Sequence, residues 1–232
     1  MGNLFGTDGI RGVAGEWPLD ARTVYRVGFS LAQYLRESTP MPQILIGRDT
    51  RASGPWLESL LRQAILDAGA NYGSCGVIST PAIAILTARS GMQAGIVISA
   101  SHNPYKDNGI KVFSSSGMKF SDSVEEDLER RIESATVVPP PQLASPDSVR
   151  GEDLIHSIPR YTELYTAFLR ECIPADFRLD GMRLAVDCAY GALSVIAPSF
   201  LRSLGAEVDP LHCEPDGRNI NLHVGAMHIE RL

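Results

Sequence analysis

Strand-like and helical patterns alternate along this chain, and that alternation limits its fold more than any other feature of the sequence. Short apolar runs at Gln43–Gly47 and Ala94–Ser99 suit buried strands. Amphipathic stretches lie around them. One begins after Asp20, a plausible N-cap, and another runs between Ser53 as a cap and Gly69 as a left-handed stop. This order of patterns predicts an α/β protein.

The rest of the chain continues the alternation, with one interruption. Further strands are predicted near Tyr72–Ile78, Ile110–Phe113, Arg183–Asp187 and Glu207–Leu211, and further helices at Ser121–Ala135, Arg160–Glu171 and Gly191–Leu204. Residues 137–151 contain three consecutive prolines and several Ser and Asp residues, which favours a linker or an exposed crossing segment. We therefore expect two domains, residues 1–150 and residues 151–232.

Composition narrows the classes of function. Apolar residues make up 44% of the 232 residues, charged residues 21%, and the formal net charge is −6, so a duplex-binding protein with a basic face is not indicated. No apolar run approaches the roughly 18–20 residues of a membrane span, and no signal peptide is recognisable. The four cysteines form no CxxC pair, which favours reduced thiols. We expect a cytoplasmic protein that binds neither nucleic acid nor membrane.

Four polar loops adjoin the apolar strands. They are Phe5–Gly12, Gly47–Gly54, Ser79–Pro81 and Ser99–Pro104. Because ligands of open α/β sheets gather at the carboxyl ends of the strands, we expect these loops to share one edge. In the first loop, glycine amides and Arg11 suit an anion, although a flexible chain start explains the same residues. In the second, Arg48, Asp49 and Arg51 are alternatively a strand-end ion-pair network.

The segment Ser99–Lys111 has the strongest chemical pattern. A Ser hydroxyl is a weak nucleophile unless its neighbours prepare it, and a phosphate on Ser101 would add about −1.5 to −2 charges. Donors for such a phosphate are His102, Asn103, Lys106 and Lys111. The alternative interpretation is a structural turn, because Asn-Pro and Asn-Gly are common turn dipeptides. The residues alone leave both interpretations open.

Six segments, in order, resemble the α-D-phosphohexomutase superfamily. They are FGTDGIRG at 5–12, GRDTRASG at 47–54, STP at 79–81, ISASHNP with DNGIK at 98–111, VDCAYGA at 186–192 and PDGRNIN at 215–221. Within the superfamily they look most like the members that act on glucosamine phosphates, and they span essentially the whole chain. The resemblance implies a phosphohexomutase-type domain 1, with a mixed sheet between helices, followed by an incomplete second α/β domain of the same type.

The resemblance also implies a reaction. Ser101 would be a phosphoserine that exchanges its phosphoryl group with a hexosamine phosphate, interconverting glucosamine 6-phosphate and glucosamine 1-phosphate through a bisphosphate for amino-sugar nucleotide and peptidoglycan precursor synthesis. Arg11 would lie beside the transferring group, Lys111 would exchange a proton with the sugar hydroxyl, and His102 would orient Ser101. Substrate or phosphate binding is implied for Thr7, Asn103 and Arg48. Mg²⁺ would contact the Ser101 phosphate.

The second half of this chain departs from the family pattern. The family's Asp-rich metal loop and its third- and fourth-domain substrate loops are expected after Leu232, so a phosphoserine alone would hold Mg²⁺ weakly. Tyr190 stands where the family usually has Asn, and residues 224–232 differ from the family pattern at four positions. Two alternatives stay open: an incompetent fragment that only folds or binds a phosphosugar or a partner, and a mutase for glucose or mannose phosphates. Homo-oligomer formation is also left open.

Overall fold

The computed structural model describes residues 4–6, 9–146 and 158–229. Its strands are β1 (Ile10–Val13), β2 (Gln43–Arg48), β3 (Asn71–Val77), β4 (Ala94–Ile98), β5 (Asp107–Ser114), β6 (Arg183–Asp187) and β7 (Glu207–Leu211). Its α-helices are α1 (Ala21–Arg36), α2 (Gly54–Asp67), α3 (Thr80–Arg89), α4 (Asp122–Ser134), α5 (Pro159–Glu171) and α6 (Ile196–Ser203). None of the helices in this described part of the chain has the length and apolar character that a bilayer crossing requires.

A five-stranded mixed sheet organises the first part of the chain, residues 4–146, which we call the first unit. The strand order is β1-β5-β4-β2-β3. Strand β2 runs parallel to both β3 and β4, whereas β5 runs antiparallel to β4 and to β1. The predicted α/β fold with a mixed sheet between helices is therefore confirmed.

The sheet of the first unit is covered on both faces, because successive strand side chains point to opposite sides. One face packs with α1, α2 and α4 through Ile44, Ile46, Ile96, Ile98, Ile110 and Val112. The other face packs with α3 and α5 through Leu45, Val97, Ile83, Leu86 and Tyr165. This double covering explains why β2 and β4 are almost continuous apolar runs in the sequence.

Several local predictions are confirmed and others need correction. The Asp20 carboxylate accepts the backbone N–H of Arg22 and of Thr23 at the start of α1, and Gly69 adopts a φ of 77° after α2. The predicted cap at Ser53 is wrong. Ser53 has helical backbone angles, so its hydroxyl does not cap α2 and instead accepts a hydrogen bond from the Asn108 amide.

Two element boundaries also differ from the prediction. Strand β5 begins at Asp107 rather than Ile110, because its first residues pair with β1. The helix predicted from Gly191 begins only at Ile196, since residues 191–195 form turns with bonds such as Ser194 N–H to Gly191 O. Residues 10–13 pair with β5 and Gly9 forms a bridge with Gly6, so the alternative of a flexible chain start does not apply to these residues.

The proline-rich segment packs on the first unit in the part that the structure describes. The indole N–H of Trp56 donates to the carbonyl of Leu143 at 3.0 Å. Val137 and Leu143 also pack against the core. This favours a crossing segment over a free linker for residues 137–146, and residues 147–151 lie outside the described residues, as does the expected domain boundary at 150/151.

The second sheet contains two strands among the described residues, β6 and β7, which pair in parallel from Arg183 opposite Glu207 to Asp187 opposite Leu211. We call residues 178–229, which include this sheet and α6, the second unit. Helix α5 lies between the two units, contacting α3 on one side and α6 on the other. The side chains of β6 are only partly buried or exposed.

Candidate functional site

The loop that follows β4 presents Ser101 to solvent. Ser101 adopts a φ of 57°, a left-handed conformation that costs a non-glycine residue on the order of 1–3 kcal/mol and persists only where the surroundings enforce it. Its backbone N–H donates to the Ser99 hydroxyl at 3.1 Å. The Ser101 hydroxyl lies 3.5 Å from Nδ1 of His102. Ser101 and His102 are both exposed, so a ligand from solvent can reach them.

Arg51 enforces the conformation of this loop from inside the protein. Its side chain is fully buried, and its guanidinium Nη2 donates to the carbonyls of Ser101 at 3.0 Å and of Asn103 at 2.9 Å. Its Nη1 donates to the carbonyl of Pro104, and its Nε donates to the Asp49 carboxylate at 2.9 Å. The carboxylate balances the buried charge, and charge-assisted bonds of this kind are stronger than neutral ones.

The sequence suggested an ion-pair network of Arg48, Asp49 and Arg51 as one alternative, and the structure shows the Asp49–Arg51 pair. The role of Arg51 in holding the Ser101 loop was not predicted. A signal was present, because Arg51 follows β2, which is the neighbour of β4 in the sheet. The pairing of those two strands brings the loop after β2 next to the loop after β4. Sequence alone did not identify that pairing.

Arg48 is placed differently from a solvent-facing phosphate ligand. Its side chain is 5% exposed, and its Nε donates to the Glu58 carboxylate at 2.9 Å. Its stem lies against Gly54, where a Cβ would come within 3.0 Å of the Arg48 Cδ. This arrangement favours the ion-pair alternative over phosphate binding for Arg48.

Arg11 and Lys111 lie on one face of the sheet next to the Ser101 loop. Arg11 is paired with Gly109, and Lys111 is two residues further along β5, so their side chains point to the same side. Gly109 accepts a hydrogen bond from the backbone N–H of Ser99. A Cβ on Gly109 would lie 2.8 Å from the Ser99 carbonyl oxygen, so only glycine allows this close crossing of strands.

Asn103 and Thr7 are the remaining residues predicted to bind substrate or phosphate. The Asn103 side chain donates to the Asp107 carboxylate at 2.9 Å and so ties the loop to the start of β5. Thr7 lies outside the described residues. Among the predicted residues, the structure therefore gathers Ser101, His102 and Asn103 in the loop, with Arg11 and Lys111 on the adjoining strands.

The second unit also reaches the Ser101 loop, which sequence reasoning did not foresee. The side-chain amide of Asn221 donates to the carbonyl of Ser101 at 2.9 Å and to that of Asn103 at 3.1 Å. Asn221 adopts a φ of 59°, and its backbone N–H donates to the carbonyl of Ala189 at 3.0 Å. The signal available from sequence was its place in the PDGRNIN segment, where no role had been assigned to it.

Two further hydrogen bonds join the second unit to the loop after β2. The Thr50 hydroxyl donates to the carbonyl of Tyr190 at 2.6 Å, and the Ala52 N–H donates to the carbonyl of Gly217 at 2.8 Å. Tyr190 has a φ of 54°, a conformation that Asn adopts more easily than Tyr. The structure thus accommodates the Tyr190 departure from the family pattern within a left-handed turn.

A carboxylate at the end of β6 organises the loops of the second unit. Asp187 accepts the backbone N–H groups of Ala189 and Gly225, both at 2.8 Å, and Nδ1 of His212 lies 3.0 Å from it. Burial alone would raise the pKa of Asp187, but these hydrogen bonds and His212 hold it below its ordinary value. The ionised carboxylate therefore stabilises the turn that carries Ala189 and Tyr190.

The described residues do not by themselves fit the Mg²⁺ site that the sequence resemblance implies. In residues 4–6, 9–146 and 158–229, no group of three or more His, Cys, Asp or Glu side chains could hold a metal ion. Hard cations need several oxygen ligands.

Curated relatives match nearly the whole chain. Phosphoglucosamine mutase from Solibacter usitatus is 44% identical over 99% of this chain and 49% of its own length. The enzyme of the same name from Deinococcus radiodurans is 43% identical over 98% of this chain and 49% of its own length. The chain therefore spans about half the length of the curated relatives it matches.

Solved structures and a family model agree with this similarity. A phosphoglucomutase/phosphomannomutase family protein from Burkholderia thailandensis superposes with a TM-score of 0.72 and 25% identity, over 93% of this chain and 45% of that one. A putative phosphomannomutase from Thermus thermophilus shares the fold, with a TM-score of 0.70 and 22% identity over 92% of this chain and 46% of that one. Residues 2–138 match the model of phosphoglucomutase/phosphomannomutase, alpha/beta/alpha domain I. Because that match covers more than half of the sequence, the chain belongs to the phosphoglucomutase/phosphomannomutase family.

Proposed function

We propose that this chain is the phosphoserine-bearing half of a phosphoglucosamine mutase, which interconverts glucosamine 6-phosphate and glucosamine 1-phosphate. The observation that carries the proposal is the exposed Ser101, kept in a left-handed conformation by the buried Arg51. A strained nucleophile held by a buried cation is an arrangement that a simple structural turn does not need. The relatives named phosphoglucosamine mutase support the choice of sugar.

The proposed chemistry is the exchange of a phosphoryl group between Ser101 and a sugar hydroxyl. The bond from phosphorus to the sugar oxygen forms as the bond to the Ser101 Oγ breaks. Lys111, in its amine form, takes the proton of the sugar hydroxyl, and the departing Oγ of the exposed Ser101 takes a proton from solvent. The bisphosphate then turns over in the site and returns its other phosphoryl group to Ser101. Arg11, on the adjoining strand β1, supplies positive charge throughout the transfer, and Lys111 on β5 adds positive charge once it has taken the proton, while His102 orients the Ser101 hydroxyl.

Substrate, phosphate and Mg²⁺ binding involve residues other than Ser101. Asn103 and Thr7 are proposed to bind substrate or phosphate, whereas the buried ion pair of Arg48 with Glu58 favours a structural role over phosphate binding for Arg48. Mg²⁺ would reach the Ser101 phosphate only with further oxygen ligands beyond the described residues. We propose a cytoplasmic setting in amino-sugar nucleotide and peptidoglycan precursor synthesis, a phosphorylated hexosamine as the partner, and a division into domains at residues 1–150 and 151–232.

A coupled mutase assay tests the function. The chain is given glucosamine 6-phosphate, Mg²⁺ and a trace of the bisphosphate, and Ser101→Ala serves as the control. Turnover that disappears in Ser101→Ala supports a catalytic chain. No turnover, together with retained binding of the phosphosugar, would instead favour the alternative of a fragment that binds without catalysis, and turnover that survives in Ser101→Ala would contradict the role of Ser101.

A further inference from the structure

We propose that Asn221 is a positioning residue for Ser101, through which the second unit controls phosphoryl transfer. The proposal rests on the function given above. The side-chain amide of Asn221 holds the same two carbonyls, those of Ser101 and Asn103, that Arg51 holds from the first unit. The two carbonyl oxygens of the loop therefore accept hydrogen bonds from both units.

The two sets of hydrogen bonds fix the Ser101–His102 and Asn103–Pro104 peptide planes. Each carbonyl oxygen has two lone pairs, and here each accepts one bond from Arg51 and one from Asn221. With both carbonyls fixed, the backbone at Ser101 has little freedom to leave its left-handed conformation. The direction of the Ser101 Cα–Cβ bond follows from that backbone conformation, so Asn221 acts on the nucleophile without touching it.

A short bonded path connects Asn221 to the second sheet. Its backbone N–H donates to the carbonyl of Ala189, and the N–H of Ala189 donates to the Asp187 carboxylate at the end of β6. The left-handed φ of Asn221 is one that Asn tolerates better than most side chains. The side chain is therefore presented to the Ser101 loop by a fixed turn rather than by an unsupported segment.

Docking of the second unit does not depend on Asn221 alone. The Thr50 hydroxyl bonds to the carbonyl of Tyr190, and the Ala52 N–H bonds to the carbonyl of Gly217. Neither contact includes a residue of the Ser101 loop. Docking and positioning can therefore be separated by variants, Thr50→Val for docking and Asn221 variants for positioning.

The experiment compares four forms of the chain: wild type, Asn221→Gly, Asn221→Asp and Thr50→Val. Asn221→Gly keeps the left-handed backbone and removes the amide. Asn221→Asp keeps the shape but sets a carboxylate against the two carbonyl oxygens. Each form is incubated with a hexosamine bisphosphate, and the rate of Ser101 phosphorylation is followed by mass spectrometry. Amide hydrogen exchange of residues 100–107 is measured on the unphosphorylated protein, so this readout needs no activity.

We expect both Asn221 variants to phosphorylate Ser101 about 10- to 100-fold more slowly, because small misplacements of a reacting group have effects of this size. Exchange of residues 100–107 should be about tenfold faster, since two hydrogen bonds are lost. Thr50→Val should keep the wild-type exchange in that loop and a phosphorylation rate within about threefold of wild type.

Three results have distinct meanings. Wild-type phosphorylation and exchange in both Asn221 variants would overturn the proposal. Slowing of equal size in Thr50→Val would also overturn it, because docking and not the amide would then be responsible. If wild-type Ser101 takes up no phosphoryl group but the Asn221 variants still loosen residues 100–107, the proposed function fails while the positioning of the loop by Asn221 is supported.

Discussion

The two sheets of this protein differ in how fully their side chains are covered. In β2, the five residues from Ile44 to Arg48 are all buried, between helices on both faces. In β6, no residue reaches that degree of burial, and its described partner is the single strand β7. Since two strands alone are marginally stable in water, the second unit must gain much of its order from contacts with the first.

Those contacts are of two kinds, apolar and polar. Ile196 of α6 is buried in the same apolar cluster as Leu45 and Ile83 of the first unit. Polar contacts join Thr50 of the first unit to Tyr190, and Asn221 of the second unit to the carbonyls of Ser101 and Asn103. The proposed nucleophile therefore lies where a well-packed unit meets a less covered one, and the predictions below test that contrast.

The largest expected effect is the loss of a core leucine from the first unit. Leu60→Ala removes a fully buried side chain between α2 and the sheet and should lower the free energy of unfolding by about 2–5 kcal/mol. The matched change Leu222→Ala in the second unit removes a side chain that is 57% exposed and should cost less than about 0.5 kcal/mol. Urea unfolding measures both, and equal losses would contradict the contrast between the units.

A smaller effect is expected where two strands cross closely. Gly109→Ala places a Cβ 2.8 Å from the Ser99 carbonyl oxygen and 2.9 Å from that of Ile10, so the sheet must shift at a cost of about 1–3 kcal/mol. Gly91→Ala is the control, because its added Cβ meets nothing within 4 Å and only its φ of 66° is unfavourable. Thermal unfolding should rank Gly109→Ala as the more damaging, and the reverse order would refute the close crossing.

Thr50→Val tests a polar contact between the two units. It keeps the shape of the side chain but removes the hydroxyl that donates to the Tyr190 carbonyl, which should cost about 0.5–1.5 kcal/mol. The loss should appear as faster proteolysis of residues 178–229, while the first unit stays protected. Unchanged proteolysis would show that this bond does not hold the second unit in place.

The smallest effect is a pH dependence confined to the second unit. The folded-state pKa of Asp187 is held below the ordinary value of an aspartate. The ionised carboxylate therefore contributes to the free energy of unfolding at pH values above the ordinary pKa, and this contribution is lost as pH falls through the folded-state pKa. Asp187→Asn should therefore destabilise the protein at about pH 7, and the difference from wild type should shrink as pH falls below about 4. Asp209→Asn, which breaks an exposed pair with Arg183, is the control and should change stability little. A difference for Asp187→Asn that does not shrink in acid would contradict the lowered pKa.

Local signals in the sequence predicted the elements of the first unit well. Asp20 and Gly69 act at helix ends through their own backbone neighbours, so their roles depend on a few adjacent residues. Ser53 fits the same pattern, but its backbone angles are helical and its hydroxyl accepts a hydrogen bond from Asn108, a residue far away in the chain. Local rules failed where a distant partner competed for the same side chain.

The sequence predicted residues of the candidate site but did not predict the side chains that hold the Ser101 loop in place. Ser101, His102 and Asn103 stand together in one segment, so sequence alone could place them in one loop. Arg51 and Asn221 reach that loop only because β2 adjoins β4 and because the second unit docks beside it. Such contacts depend on tertiary packing, which a single sequence does not contain.

Phosphoryl uptake at Ser101 tests the account most directly. The chain is incubated with a hexosamine bisphosphate, and the modified residue is located by mass spectrometry of its peptides, with Ser101→Ala treated in parallel. The account predicts one phosphoryl group on Ser101 in the wild-type chain and none in Ser101→Ala. Uptake at another residue, or equal uptake in both chains, would contradict Ser101 as the phosphoryl carrier.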